Sequence, residues 1–456
     1  LSQPGLEVSF RTFGCRLNQT ETEAIAAAFA AAGATIVVFD HGADIVVFNT
    51  CTVTGKAEQK ARREMRLALR RNPAAVIMVT GCYAELDPVA LASLSPRLVV
   101  LPGGRKDALL AMATELVAAA VGGLDLLDEA RRLSVLARGH DPTPFAFQPG
   151  DFRFHARASL KVQDGCDNRC AYCRVCLARG KATSLDAAEV LRRARVIGKA
   201  GLSEIVLTGV NLSQYRSDCL DFSGLLQMLV RETSAIAYRV SSYEPDRIDA
   251  AFLSAFALQR VRPHLHLPVQ SGSDAVLLAM GRAYDSATVL DAVAAARLCR
   301  DDPFIGVDII AGFPGESDAD FAATVALLRQ LEPAWIHAFK FSPRPGTKAF
   351  SMRPCVPERV AAERAAILDA LAWTGRRRFA ERRMGRILAV IPDDSPAAGA
   401  GSAPPGCTTA VSADYLRVRV HGVPGGTRGS FSCLVTGVAE SEHVDLDASF
   451  LQSTQS

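Results

Sequence analysis

The feature that most restricts the fold is a repeated placement, a cysteine just after an apolar, β-rich run. "VSFRTFGC", "IVVFNTC" and "VIMVTGC" end at Cys15, Cys51 and Cys82. These runs, with "TIVVF" and "RLVVL", read as buried parallel strands, and amphipathic stretches at 21–32 and 55–71 read as helices between them. Alternation of this kind gives a doubly wound parallel α/β domain. In such a sheet the carboxyl ends of the strands lie along one edge, where ligands bind. The three cysteines are therefore expected to converge. Gly14 and Gly81 let the backbone come close, and Asn49 and Thr50 are placed to direct hydrogen bonds toward thiolate or sulfide. A lone free cysteine is usually a small buried hydrophobe; three at equivalent strand ends favour a metal cluster.

A second set is denser. "VQDGCDNRCAYCRVCLARG" places Cys166, Cys170, Cys173 and Cys176 within one loop. The spacing C-x3-C-x2-C suits a 4Fe-4S cluster held by Cys166, Cys170 and Cys173, with one iron lacking a protein ligand. A ferredoxin loop built on Cys170, Cys173 and Cys176 would need a fourth cysteine where Gly180 stands. A zinc knuckle using all four thiols, or plain buried cysteines, is the structural alternative. Gly165 allows a sharp turn off the preceding strand.

The rest of the chain has a matching organisation. Residues 136–152, with three prolines, read as a linker. Strands are expected at 158–163, 204–208, 237–241, 262–267, 304–310 and 335–341, with helices such as 185–200 and 287–300 between them. Six strand-helix repeats make a partial (βα)6 barrel. A helix at 358–384 closes it, and from 386 short strands around a Gly/Ala/Pro/Ser-rich loop (395–406) suggest a small β-barrel. The expected domains are 1–135, 153–385 and 386–456, with 136–152 between the first two. With 49% hydrophobic and 22% charged residues the chain has the composition of a soluble globular protein, and no apolar run is long enough for a membrane span. The first residues carry neither a basic start nor an apolar segment of a secretory signal, and with no initiator Met a few residues are expected to be missing. Twelve cysteines in tight clusters fit metal binding in a reducing cytoplasm.

The C-x3-C-x2-C loop after a first barrel strand resembles that of the radical S-adenosylmethionine (SAM) enzymes. "LTGVNLSQY" (207–215), "RVSSYEP" (239–245), "HLHLPVQSGSD" (264–274), "VDIIAGFPGE" (307–316) and "FSPRPGT" (341–347) resemble the later motifs of the methylthiotransferase family. The resemblance implies two 4Fe-4S clusters, a radical one on Cys166, Cys170 and Cys173 and an auxiliary one on Cys15, Cys51 and Cys82. It also implies SAM contacts from Tyr172, Thr208, Gly209, Ser241, Glu244, Gln270, Asp308 and Gly312. "TFGCRLNQTET" (12–22), "NTCTVTGKAEQKARR" (49–63) and "TGCYAELDP" (80–88) are most similar to the branch that modifies N6-threonylcarbamoyladenosine in tRNA. Two departures stand out: Cys176 replaces the usual proline, and Arg174 replaces Ile or Val.

The implied reaction inserts a methylthio group at C2 of the modified adenosine beside the anticodon. One SAM methylates sulfur at the auxiliary cluster, and a second yields the 5′-deoxyadenosyl radical. The implied partners are the tRNA anticodon loop, an electron donor and a sulfur donor. The alternatives are isopentenyladenosine tRNA, a ribosomal-protein aspartate, another kind of radical sulfur insertion, or a non-enzymatic iron-sulfur RNA-binding regulator. Two basic runs are candidate phosphate contacts. One, at 56–71, has seven basic and two acidic residues; the other, at 376–386, has six arginines. The carboxyl-terminal part resembles a TRAM RNA-binding barrel, with Phe379 and Tyr415 as core or base-stacking residues.

Overall fold

The computed structural model describes residues 5–139, 141–148, 157–393, 406–427, 429–441 and 443–451. Most of the expected Gly/Ala/Pro/Ser-rich loop and the end of the expected linker lie outside these residues. The chain divides into two compact units. The first comprises Leu1–Arg153, Asp164–Thr183 and Ser342–Thr347; the second comprises Phe154–Gln163, Ser184–Phe341 and Lys348–Ser456. The cysteine loop thus packs with the amino-terminal α/β part.

The first unit is built on strands β1 (Glu7–Thr12), β2 (Thr35–Ile36), β3 (Ile45–Thr50), β4 (Val76–Gly81) and β5 (Leu98–Val100). They form a parallel sheet in the order β2-β1-β3-β4-β5. "TIVVF" supplies only a two-residue edge strand, and Val38 beyond it is exposed. Alternate residues feed two cores, with Ile45, Val47 and Met78 in one and Val46, Phe48 and Val79 in the other. A strand buried on both faces reads as a continuous apolar run, which is why β3 and β4 were legible. Phe147, inside the expected linker, is buried in the first of these cores. Helices α1 (Arg16–Ala31), α2 (Gly55–Arg71) and α3 (Cys82–Leu86) start at or just beyond the ends of β1, β3 and β4, and α4 (Val175–Arg179) ends the cysteine loop.

The second unit holds six strands in parallel: β6 (Ala158–Lys161), β7 (Glu204–Thr208), β8 (Ala237–Val240), β9 (His264–Gln270), β10 (Phe304–Ala311) and β11 (Trp335–Lys340). Two three-stranded sheets are joined by bridges Tyr238↔Val261 and Ser242↔His266, giving the open partial barrel. Leu265, Leu267, Val307, Ile309 and Ile336 form the fully buried outer face. Helix α5 (Glu358–Glu381) packs against β10 and β11.

Strands β12 (Ile387–Pro392), β13 (Cys407–Ser412), β14 (Arg417–His421), β15 (Phe431–Val438) and β16 (Leu446–Phe450) close a five-stranded barrel in the order β12-β13-β14-β16-β15. β13 and β16 carry little strand signal in the sequence, because "CTTAVS" and "LDASF" are short and partly polar. This barrel docks at the amino-terminal ends of the parallel strands. The Tyr415 ring lies 4.6 Å from His264, and Arg239 donates to Ser412 O at 3.2 Å. Beneath them, fully buried Glu204 pairs with Arg239 (2.8 Å) and Arg262 (2.7 Å). Burial would raise the Glu204 pKa, but Arg239 and Arg262 together bring it down to about 2.

Candidate active site

Strand order 2-1-3-4-5 reverses direction between β1 and β3, and ligands of open α/β sheets bind at such a switch point. Cys15 follows β1 as the N-cap of α1, Cys51 follows β3, and Cys82 opens α3 after β4. The three thiols are in mutual electrostatic range: burial first, and then Cys82 and Cys15, push the Cys51 thiol up to about 12.

Glycines make the approach possible. Gly14 has φ +97°, and a Cβ there would lie 2.7 Å from Cys51 Sγ. Gly81 has φ +96°, and a Cβ would lie 2.3 Å from Thr50 O. Asn49 and Thr50 do not use their donors on thiols, as the sequence suggested. Asn49 Nδ2 donates to Asn18 O of α1 (3.0 Å) and Thr50 Oγ1 to Thr80 O of β4 (2.5 Å), so the first fastens the end of β3 to α1 and the second joins the ends of β3 and β4. Buried Asn49 Oδ1 and Thr80 Oγ1 have no partner among the described residues.

Gly165 (φ +69°) admits no side chain, since a Cβ would sit 1.9 Å from Lys181 O. The loop is closed by Cys166 N donating to Gly180 O at 3.1 Å. Within it, burial and then the charges of Cys170, Cys176 and Cys166 push the Cys173 thiol up to about 12. The four loop thiols are therefore gathered, and Val175 N donates to Cys173 Sγ at 3.3 Å. Tyr172 is half-buried beside them.

Two arginines tie this loop to the cysteine triad, and the sequence reading assigned a role to neither. Arg179 donates to Asp164 (3.0 Å), Glu21 (3.1 Å) and Asn18 Oδ1 (2.7 Å). Burial alone would lower its pKa, but Glu21, Cys82, Asp164 and Cys15 raise it well above the usual value. Arg179 is thus a fixed cation beside the Cys15/Cys51/Cys82 trio, carried on the helix that ends the cysteine loop. Arg174, noted as a departure, reaches Asp87 (3.2 Å) and Thr52 (3.3 Å), while Arg344 of "SPRPGT" reaches Thr52 (3.1 Å) and Glu58. Both grip the segment that follows Cys51. The only available signal was a charged residue where the motif elsewhere is apolar.

In the second unit, Thr208 and Ser241 stand at adjacent strand ends, with Ser241 N donating to Leu207 O at 3.3 Å. Their buried hydroxyls, Thr208 Oγ1 and Ser241 Oγ, have no partner among the described residues. Gly209 lies against Gln163; a Cβ there would be 2.9 Å from Gln163 Oε1. Gln270 ends β9 with φ +68°, a left-handed conformation that costs a non-glycine residue energy. Three other expected contacts are otherwise engaged. Glu244, raised to about 7 chiefly by burial, pairs with Arg282. Gly312 N donates to Glu316 Oε2 (2.7 Å), and Asp308 lies within β10, hydrogen-bonded to His266 Nε2 at 2.7 Å.

Comparison with known proteins identifies the family. Residues 7–103 match the uncharacterized protein family UPF0004, and residues 160–328 match the radical SAM superfamily. A threonylcarbamoyladenosine tRNA methylthiotransferase MtaB of Treponema pallidum is 42% identical, over 91% of this chain and 98% of that protein. A tRNA-2-methylthio-N(6)-dimethylallyladenosine synthase of Sphingopyxis alaskensis is 33% identical, over 84% and 85%. Among solved structures, the radical SAM methyltransferase TsrM of Kitasatospora setae, with cobalamin and a 4Fe-4S cluster bound, shares the fold at a TM-score of 0.51 and 15% identity, over 76% of this chain and 77% of that chain. Among the described residues no helix is long and apolar enough to cross a membrane. The chain belongs to the radical SAM methylthiotransferase family, in the branch of the threonylcarbamoyladenosine tRNA methylthiotransferases.

Proposed function

We propose that this protein converts N6-threonylcarbamoyladenosine beside the tRNA anticodon to its 2-methylthio derivative, in the cytoplasm. The observation that carries the reading is the presence of two cysteine sets in one compact unit, with Arg179 of the loop's helix beside the Cys15/Cys51/Cys82 trio. Cys166, Cys170 and Cys173 would hold the radical 4Fe-4S cluster, and Cys15, Cys51 and Cys82 an auxiliary one. The donor set fits, since each trio offers three thiols and leaves one iron for an outside ligand. When bound, the clusters and SAM supply reductive cleavage of SAM and a sulfur carrier, given an electron donor and a sulfur donor.

The chain's own residues do the rest. Arg179 offsets the negative charge that three thiolates bring to a buried site. Gly14 and Gly81 leave room at the strand ends. Thr208 and Ser241, with their free hydroxyls, and Tyr172, Gly209 and Gln270 are the proposed SAM contacts. Glu244, Asp308 and Gly312 hold the surrounding strands and loops in place. The proposed domain division is 1–135, 153–385 and 386–456, with a linker at 136–152; the two compact units cut across it, since 164–183 and 342–347 pack with the first.

Iron counting and nucleoside mass spectrometry test the reading. About eight irons per chain are expected after anaerobic reconstitution, and about four in a C15A/C51A/C82A variant. That variant should still form 5′-deoxyadenosine while making no methylthio nucleoside. Methylthiolated tRNA from it would refute the two-cluster assignment.

A further inference from the structure

Apart from Asp308, the inner face of the second unit carries a polar and aromatic strip made of residues with no part in the SAM assignments. Along β9, β10 and β11 the residues opposite the buried outer face are His264 and His266, Phe304 and Asp308, and Trp335, His337 and Phe339. The lowest layer is closed: His264 stacks on Phe304, Tyr415 packs tilted against His264 and edge-on to Phe304, and Arg376 lies over Phe304 and Trp335. The next layer is a set of hydrogen-bonding groups. Ser242 Oγ lies 3.4 Å from His266 Nδ1, His266 Nε2 lies 2.7 Å from Asp308, and the His266 and His337 rings are 5.1 Å apart. Above it stands Phe339, 41% exposed, its ring 24° from parallel with His337 at 6.5 Å.

The protonation of His337 is constrained. Trp335 Nε1 donates to His337 Nδ1 at 3.2 Å, so a neutral ring carries its proton on Nε2. His337 is exposed, yet the partial desolvation of its ring by the surrounding strands and the neighbouring His266 hold its pKa below the ordinary value; Asp308 opposes this and Arg376 adds to it. A neutral donor beside an exposed aromatic face suits a planar heterocycle with acceptor nitrogens. The atoms of His266, Asp308 and His337 also lie within 4.8 Å of one another, close enough to attract a divalent metal. The Trp335 hydrogen bond argues against that use, because it places a proton on the other nitrogen of His337.

We propose that Phe339 and His337, backed by His266 and Asp308, form the seat of the target adenine. Phe339 stacks on the base, and His337 Nε2–H donates to a ring nitrogen flanking C2. This rests on the tRNA methylthiotransferase reading. It assigns the strip to the substrate's purine and not to the adenine of SAM, which shares the same chemistry.

The test uses the reconstituted enzyme with threonylcarbamoylated tRNA, measuring methylthio product and, without tRNA, 5′-deoxyadenosine. Wild-type product formation checks the function itself; its failure would sink that reading whatever the variants do. With an active wild type, F339A should lower kcat/KM for tRNA roughly ten- to a hundredfold. H337L should lower it about tenfold, largely through KM, and H337Q, which keeps an N–H near the same place, should stay within about threefold of wild type. SAM cleavage without tRNA should be unchanged in all three, which also shows that they fold. Unaltered kcat/KM in both F339A and H337L overturns the proposal. Loss of tRNA-independent SAM cleavage in both reassigns the strip to SAM. One zinc per chain, absent from H337L, would make it a metal site instead.

Discussion

Two arginine-rich segments look alike in sequence and are used in opposite ways. In α2 the two acids face inward: Glu58 is buried with Arg344 and Arg174, and Glu64 pairs with Arg11. Lys56, Lys60, Arg63, Arg66 and Arg70 are left exposed, with no acidic partner among the described residues. The run at 376–386 is neutralised almost throughout. Arg376 pairs with Asp445 (2.6 and 2.7 Å), Arg383 with Asp302 and Asp414, Arg382 with Asp302, and Arg386 with Asp301. Even Arg377 and Arg378 face Glu381 and Glu332. A run of positive charge is an interface only where the fold supplies no acids to meet it. The expectation that 376–386 serves tRNA phosphates therefore gives way to a seam that fastens the small barrel to α5 and the neighbouring loop.

The largest way to break this contrast is Arg383→Ala, which strands buried Asp414 beneath the barrel and leaves Asp302 to Arg382 alone. Removing one partner of a buried pair costs about 3–5 kcal/mol, so a fall in the denaturation midpoint is expected, read by circular dichroism. No change would return this arginine to the surface class.

Next is acid sensitivity of the same end of the unit. Glu204 is held at about 2 against an ordinary 4.5, so its contribution is complete above pH 4.5 and is lost as pH falls toward 2. The shift corresponds to ~3 kcal/mol. A Glu204→Gln variant should show a flatter stability profile over that window, and a parallel profile would contradict the assignment.

A smaller effect on stability but a clear one on binding is expected in α2. Replacing Lys60, Arg63 and Arg70 with Ala should weaken tRNA binding about tenfold and lower the salt slope by about three, with the melting temperature nearly unmoved. The smallest effect belongs to R377A/R378A, whose partners are exposed; stability should change by less than ~1 kcal/mol and tRNA affinity by less than about twofold. If these two variants exchange outcomes, the assignment of the surfaces is reversed.

The cysteine positions were legible because each depends on local pattern. β3 and β4 are continuous apolar runs, and the C-x3-C-x2-C spacing lies within one loop. Arg179 was not legible, because its role depends on Glu21 and Asn18, more than 150 residues earlier in the chain. The same holds for Arg174, whose partners Thr52, Glu58 and Asp87 lie on the segments after β3 and β4. Tyr415, left open between core and base stacking, sits in the core because His264 and Phe304 meet it there.

The sequence by itself determined the alternation of strand and helix, the strand-end and loop positions of the six candidate cysteines and the glycines beside them, because periodicity and positive φ are properties of a few adjacent residues. Only the tertiary structure decided that the radical loop packs with the amino-terminal sheet, which arginines are spent on buried acids, and which aromatic residues stay open on the inner face. Charge pairing and burial are set by residues far apart in the chain, so the same arginine can be a surface cation or a rivet until its neighbours are in place.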